Sequence, residues 1–235
     1  MRPEVEWEAR DTPRPAMWAY LSGRAFGRFV LFPLLFDMHV RGLEHVPSDG
    51  PLILASNHVS NFDPILVGTY VPRTTTFVAK QELYRVAPLA LLWHWWGAVL
   101  VRRDGLDMRP LRMLLRILAE GGTVGMFPEG TRSRGKGLQR PLPGVAYLAV
   151  KSGVPILPVA VWGADSLNLK RRMVRGRPRV DIRVGPVMVP EVPAGRITRE
   201  VLDQVGEDVM HSIAALLPER LRGVYAATSE GSVDG

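Results

Sequence analysis

Hydrophobic positions along this chain come in short runs, and their spacing alternates between two periods. Residues 51–55 form a continuous apolar run of strand length, introduced by the turn signal Ser48-Asp49-Gly50. Residues 74–79 are β-branched and read as a second strand, and residues 98–101, 123–127 and 155–161 read as three more. Residues 180–184 alternate polar and apolar side chains, which places that strand towards a sheet edge. Residues 40–47 read as a strand and turn. Between these runs the period changes to that of a helix. Helices are expected from Pro64 to about Tyr70, from Lys80 onward, within 88–96, over 144–151, and from Thr198, a plausible N-cap, to about Leu217. Residues 108–119 are amphipathic, with Arg109, Arg112 and Arg116 on one face and Leu111, Leu114, Leu115 and Leu118 opposite. Strands alternating with helices predict an α/β layered fold with a central, largely parallel (mixed) sheet flanked by helices.

Residues 17–36 have nearly the length of a membrane span, but Arg24 and Arg28 lie inside the segment. Each would cost roughly 2.5–3.5 kcal/mol at a bilayer centre. With Trp18 and Tyr20 near one end, the segment reads as a helix in the membrane interface, with a break expected near Pro33. Its two arginines, four residues apart, would then meet anionic headgroups. The alternative is an amphipathic helix packed on the protein's own core. The expected organisation is an N-terminal helical segment over 1–36, one main domain over 37–225 and a loose tail over 226–235.

The chain has 235 residues with 30 Lys and Arg against 23 Asp and Glu, a formal charge of +7. Arginine forks suit phosphate, so the partner classes are nucleic acid, an anionic membrane surface or a phosphorylated substrate. The densest basic run, residues 170–179, lacks the interleaved aromatics of a single-strand platform, and no nucleic-acid partner is expected. Cysteine is absent, which excludes a thiol nucleophile and thiolate metal sites. Tryptophans 93, 95 and 96 are either core or an interfacial anchor.

The candidate chemistry lies in loops that directly follow strands. In Asn57-His58-Val59-Ser60-Asn61-Phe62-Asp63-Pro64, His58 stands just past a strand and Asp63 enters a helix as its N-cap. A chain folding back there lets the carboxylate reach one imidazole nitrogen and leaves the other for substrate, as a general base requires. The bland reading is a loop histidine and a plain cap. Arg103 follows the strand at 98–101. Glu129, Gly130, Thr131 and Arg132 follow the strand at 123–127. If those strands are parallel neighbours, the three loops share one rim. A base, two forks for phosphate and apolar walls at 88–101 and 145–161 suit transfer of a fatty acyl group to a hydroxyl near a phosphate. A hydrolase using His58 on water is the competing enzyme, and the anion clamp argues against it. A metal at His58 and Asp63 has no further ligand cluster to complete it.

The chain resembles the lysophosphatidic acid (1-acyl-glycerol-3-phosphate) acyltransferases of the glycerolipid acyltransferase superfamily. Four blocks carry the resemblance: residues 57–63 with the His-x4-Asp pattern, Gly97 to Arg103, Phe127-Pro128-Glu129-Gly130-Thr131-Arg132-Ser133, and Val154 to Val159. Arg102 departs from the family, whose second block often has an acidic or small residue there. The resemblance implies that His58 is the general base and Asp63 its orienter. It implies that Asn57, Arg103 and the Glu129–Arg132 loop bind substrate, and that Pro155 and Pro158 lie near the acyl site. The co-substrate would be an acyl thioester of coenzyme A or acyl carrier protein, with no resident cofactor or metal. The acceptor would be a lysophospholipid or another hydroxylated or amino compound. The protein would then be peripheral or monotopic on the cytoplasmic face of the cell membrane.

Overall fold

Seven strands carry the apolar runs in the computed structural model: β1 (Asp37–Arg41), β2 (Leu52–Ser56), β3 (Thr75–Lys80), β4 (Val99–Val101), β5 (Thr123–Met126), β6 (Ile156–Trp162) and β7 (Arg179–Val184). The structure describes residues 17–80, 99–101, 109–133, 136–164, 176–191 and 197–226. The strands form one sheet in the order β1-β7-β6-β2-β5-β3-β4. Every neighbouring pair is parallel except β6 with β7, so the expected mixed, largely parallel sheet is the one that forms.

Helices α1 (Met17–Phe26), α2 (Phe32–Leu35), α3 (Asp63–Tyr70), α4 (Arg109–Ala119), α5 (Gly144–Ser152) and α6 (Arg199–Leu216) cover both faces. Ile53 and Ala55 of β2 pack with Leu114 and Leu118 of α4, Leu148 of α5, and Val209 and Ile213 of α6. Leu52 and Leu54 point the other way, to Phe32, Phe36, Ile65 and Leu66. A strand covered on both faces has no use for polar alternates, which is why residues 52–55 read as an unbroken apolar run. Apart from the smaller Ala55, each of these side chains contributes roughly 1.5–3 kcal/mol by burial. Thr198 caps α6 as expected, its hydroxyl accepting from Val201 N–H at 3.4 Å. β7 is the second strand from one edge, with β1 outside it. Its Asp181 is buried because Arg179 donates to both carboxylate oxygens at 2.8 Å.

The N-terminal segment differs from its expected form in two ways. There is no break at Pro33. A π-helical turn over Gly27–Leu31 joins α1 to α2, and Pro33 sits in the first turn of α2. Pro33 has no N–H for the carbonyl four residues earlier, and the wider turn absorbs that gap. The arginines also face inward rather than outward. Arg24 Nε donates to Thr69 O at 3.0 Å, and the Arg28 guanidinium lies 6.0 Å from the centre of the Tyr70 ring and 5.7 Å from that of the exposed Phe29. The last carbonyls of α3 lack intrahelical partners and carry the negative end of its dipole, so they draw a cation. Tyr20, Phe32 and Phe36 are buried on this inner side, while Trp18 and Phe29 are 74% and 73% exposed on the outer one. The helix expected beyond Lys80, the tryptophans at 93–96, Arg102 and Arg103, residues 170–175 and the tail from 227 lie outside the described residues.

Candidate active site

β2 and β5 are parallel neighbours, with Ala55 level with Met126. The two loops that leave their carboxyl ends therefore start side by side. Asn57 is the last residue tied to the sheet. Its side chain accepts from Val161 N–H and donates to Val161 O, both at 2.8 Å. The amide thus continues the β2–β6 ladder after the backbone has turned away, with one of its N–H donors and its oxygen engaged by β6.

The freed backbone of His58 is held from the β5 side. Its N–H donates to Glu129 Oε1 at 2.9 Å, and its carbonyl accepts from Ser133 N–H at 2.8 Å. Glu129 Oε2 accepts from Gln139 N–H at 3.1 Å. Both oxygens of this buried carboxylate are therefore occupied by backbone amides. Burial pushes the Glu129 carboxyl up to about 7, against the pull of those two N–H groups. The imidazole lies flat on Phe127, ring centres 4.1 Å apart.

Asp63 completes the arrangement from the other side. Its Oδ2 lies 2.8 Å from His58 Nδ1 and accepts from the N–H groups of Val59 and Ser60 at 2.6 and 2.7 Å. Oδ1 has no hydrogen-bond partner among the described residues. Asp63 is therefore not the N-cap of α3. It is the first helical residue, and its carboxylate is drawn back into the loop by three donors. A carboxylate facing Nδ1 makes Nδ1 the protonated nitrogen and leaves the Nε2 lone pair available. Burial pushes the Asp63 carboxyl up from the ordinary carboxylate range, while His58 and the two amides pull it down. The side chain of His58 is 18% exposed, so Nε2 has access to a substrate.

The other expected residues are distributed unevenly. Gly130 takes a positive φ of 63° in a turn closed by its N–H to Phe127 O at 3.0 Å, and Leu142 lies over it where a Cβ would be. Thr131 is exposed. Arg132 is partly exposed next to Ser133 and has no ion-pair or hydrogen-bond partner among the described residues. β4 is parallel to β3 and ends on the same rim, but Arg103 beyond it is outside the described residues. Pro155 and Pro158 are not brought to His58. Pro155 precedes Ile156, which is level with Ile53, and β6 runs parallel to β2. Pro155 therefore lies at the opposite rim, roughly 20 Å away by strand rise. Pro158 is level with Ala55 inside the sheet. Phe127 and Gln139 were not among the expected residues. Phe127 could have been found by its place two residues before Glu129, but a backbone N–H such as that of Gln139 has no sequence signature.

The family profile described as Acyltransferase matches residues 37–162, which hold β1 to β6 and the whole His58–Glu129 arrangement. The chain belongs to the acyltransferase family. The acyltransferase is 29% identical over 205 residues to a 1-acyl-sn-glycerol-3-phosphate acyltransferase of Escherichia coli, covering 85% of this chain and 79% of that one. It is 26% identical over 193 residues to an enzyme of the same name from Borreliella burgdorferi, covering 80% and 77%. The crystal structure of the 1-acyl-sn-glycerophosphate (LPA) acyltransferase from Thermotoga maritima is similar to it, with a TM-score of 0.64 and 29% identity over 84% of this chain and 78% of that one.

Proposed function

We propose that this acyltransferase moves a fatty acyl group from a thioester of coenzyme A or acyl carrier protein to the free hydroxyl of 1-acyl-glycerol 3-phosphate, giving phosphatidic acid. The observation that carries the reading is the His58 Nδ1–Asp63 Oδ2 contact of 2.8 Å, beside Arg132, which has no ion-pair or hydrogen-bond partner among the described residues. The acceptor is the one in the names of the relatives.

The chemistry follows from these groups. His58 Nε2 takes the proton of the acceptor hydroxyl as that oxygen attacks the thioester carbonyl. The buried Asp63 carboxylate stabilises the imidazolium that forms. The tetrahedral adduct collapses, the C–S bond breaks, and the imidazolium returns its proton to the departing sulfur. A C–O bond has replaced a C–S bond, and no acyl-enzyme is required. Arg132 and Arg103 hold the acceptor's phosphate by charge-assisted hydrogen bonds. Glu129 keeps His58 in place, each of its oxygens accepting one backbone amide.

The acceptor and product are lipids, so the rim has to meet a membrane. Among the described residues no helix is long and apolar enough to cross one. We assign the contact to the outer face of residues 17–36, and the catalytic domain to 37–225, in a peripheral or monotopic protein on the cytoplasmic face. The deciding assay offers acyl-coenzyme A and acyl carrier protein to the purified enzyme with lysophosphatidic acid, glycerol 3-phosphate or another lysophospholipid. Phosphatidic acid is expected only with the first acceptor, and His58→Ala should lower turnover by at least 10²-fold. Release of free fatty acid at the same rate without an acceptor would make the protein a hydrolase.

A further inference from the structure

The last described stretch, residues 217–226, lies beyond residues 37–162, the part of the chain matched by the family profile. It forms two tight turns, Glu219–Leu221 and Gly223–Tyr225, which return from α6 to the loop that follows Glu129. Residue 138 is hydrogen-bonded to this stretch on both sides. Leu138 N–H donates to Leu221 O at 3.1 Å, and Leu138 O accepts from Val224 N–H at 3.2 Å. The side chain of Leu138 is buried in the core beneath α4, α5 and α6.

Two glycines let the backbones come this close. A Cβ on Gly137 would lie 2.6 Å from the Cα and N of Gly223, and a Cβ on Gly223 would lie 2.3 Å from Leu138 O. Their φ angles are 72° and 55°, so conformation and space both demand glycine. A third tie comes from α6. Tyr225 OH donates to Glu207 Oε2 at 2.7 Å, its ring meets His211 edge-on at 5.0 Å, and Arg140 lies 3.8 Å from the other oxygen of Glu207.

The residue after Leu138 is Gln139, whose N–H holds one oxygen of Glu129. The other oxygen holds His58 N–H. A loop can aim an N–H in many directions, and pinning Leu138 at both its amide and its carbonyl leaves Gln139 only one. We infer that residues 217–226 form a strap that positions His58 for catalysis, acting through Leu138, the Gln139 N–H and the Glu129 carboxylate. Strap residues touch no substrate. The inference rests on His58 being the base of the proposed reaction.

Loosening the strap has a consequence that lost stability alone does not. The Gln139 N–H is one of the two bonds that hold the Glu129 carboxyl down, and the groups that feel its charge are Asp63 and the Tyr225 phenol, with His58 bonded through its amide. Without that bond the carboxyl titrates higher. The test compares Gly223→Ala and Val224→Pro with wild type in the full chain. The first adds a Cβ at the contact. The second removes one strap N–H at a residue 59% exposed, so it carries the test if the first does not fold. Two readouts are taken: kcat and KM for acyl transfer, and the midpoint of the Glu129 carboxyl ¹³C resonance, identified by its absence in Glu129→Gln. The expected result is a kcat lower by about tenfold with both KM values within about twofold, and a midpoint above the wild-type value of about 7. A folded variant with wild-type kcat and an unmoved midpoint overturns the strap, whatever its melting temperature. If wild type transfers no acyl group to any acceptor, the functional reading falls, and the carboxyl midpoint decides the strap alone.

Discussion

Glu129 is buried, and its burial sets stability against site assembly. Its carboxyl titrates near 7 in the fold, against an ordinary value of 4.5. A folded-state value raised above the unfolded one contributes stability that is fully present below 4.5 and is lost as pH rises through about 7. The difference amounts to about 3 kcal/mol. The amides of His58 and Gln139, in contrast, are best accepted by the ionised form. Urea unfolding of wild type between pH 5 and 8 should therefore show a fall in stability that Glu129→Gln lacks, while turnover rises over the same range. Equal slopes for the two proteins would count against this account. At this scale the sequence was informative about residue types and less so about their direction. His58 with an acid five residues on announced a base. The same Asp63 read as an N-cap, because Asp before Pro at a helix start is common. Three donors converging on Oδ2 decide otherwise, and of these only His58 could be placed from the sequence; the Val59 and Ser60 amides take their direction from the folded loop.

The strands set the His58–Glu129 arrangement, and Asn57 shows how. β2 and β6 run parallel up to Ser56 and Val159, and beyond them one side chain replaces a rung of the ladder. Asn57→Ala would leave Val161 N–H and C=O buried without partners, at about 1–3 kcal/mol for each unsatisfied group. The midpoint of urea unfolding should fall accordingly, and turnover should fall further than stability, since His58 is the next residue. Asn57→Asp keeps the acceptor and loses the donor, so its cost should be intermediate. Full activity and stability in Asn57→Ala would show that the bridge is dispensable. The strands themselves were legible because a strand buried on both faces leaves an unbroken apolar run, as at residues 52–55. The N-terminal helix was legible only in part. Helical spacing puts Arg24 and Arg28 on one face, but it does not say which of two apolar sides meets the core. Tyr20 and Phe32 occupy the inner side with the arginines, and Trp18 and Phe29 are left outside.

For the whole molecule, that outer side turns the membrane question from one of charge into one of apolar area. Met17, Trp18, Phe26, Phe29 and Leu34 are exposed on the segment, while Arg24 bonds to the end of α3 and Arg28 lies over Tyr70. Burying a large apolar side chain in the acyl boundary gains roughly 1.5–3 kcal/mol. Trp18→Ser with Phe29→Ser should therefore reduce partitioning to vesicles by more than about tenfold, and by similar factors on zwitterionic and anionic lipid. Neither side chain supports the core, so the variant should keep its melting temperature and its activity on a short, soluble acceptor. Arg24→Glu with Arg28→Glu should instead lower the melting temperature, because the Thr69 carbonyl would face a carboxylate. Attraction to anionic headgroups is screened within about a Debye length, roughly 8–10 Å near physiological salt. Binding through the apolar face should accordingly survive added salt that would release a protein held by arginines. Vesicle sedimentation at low and high salt separates the two. Tight binding by the Trp18/Phe29 variant that disappears in high salt would move the contact away from this helix to a basic surface.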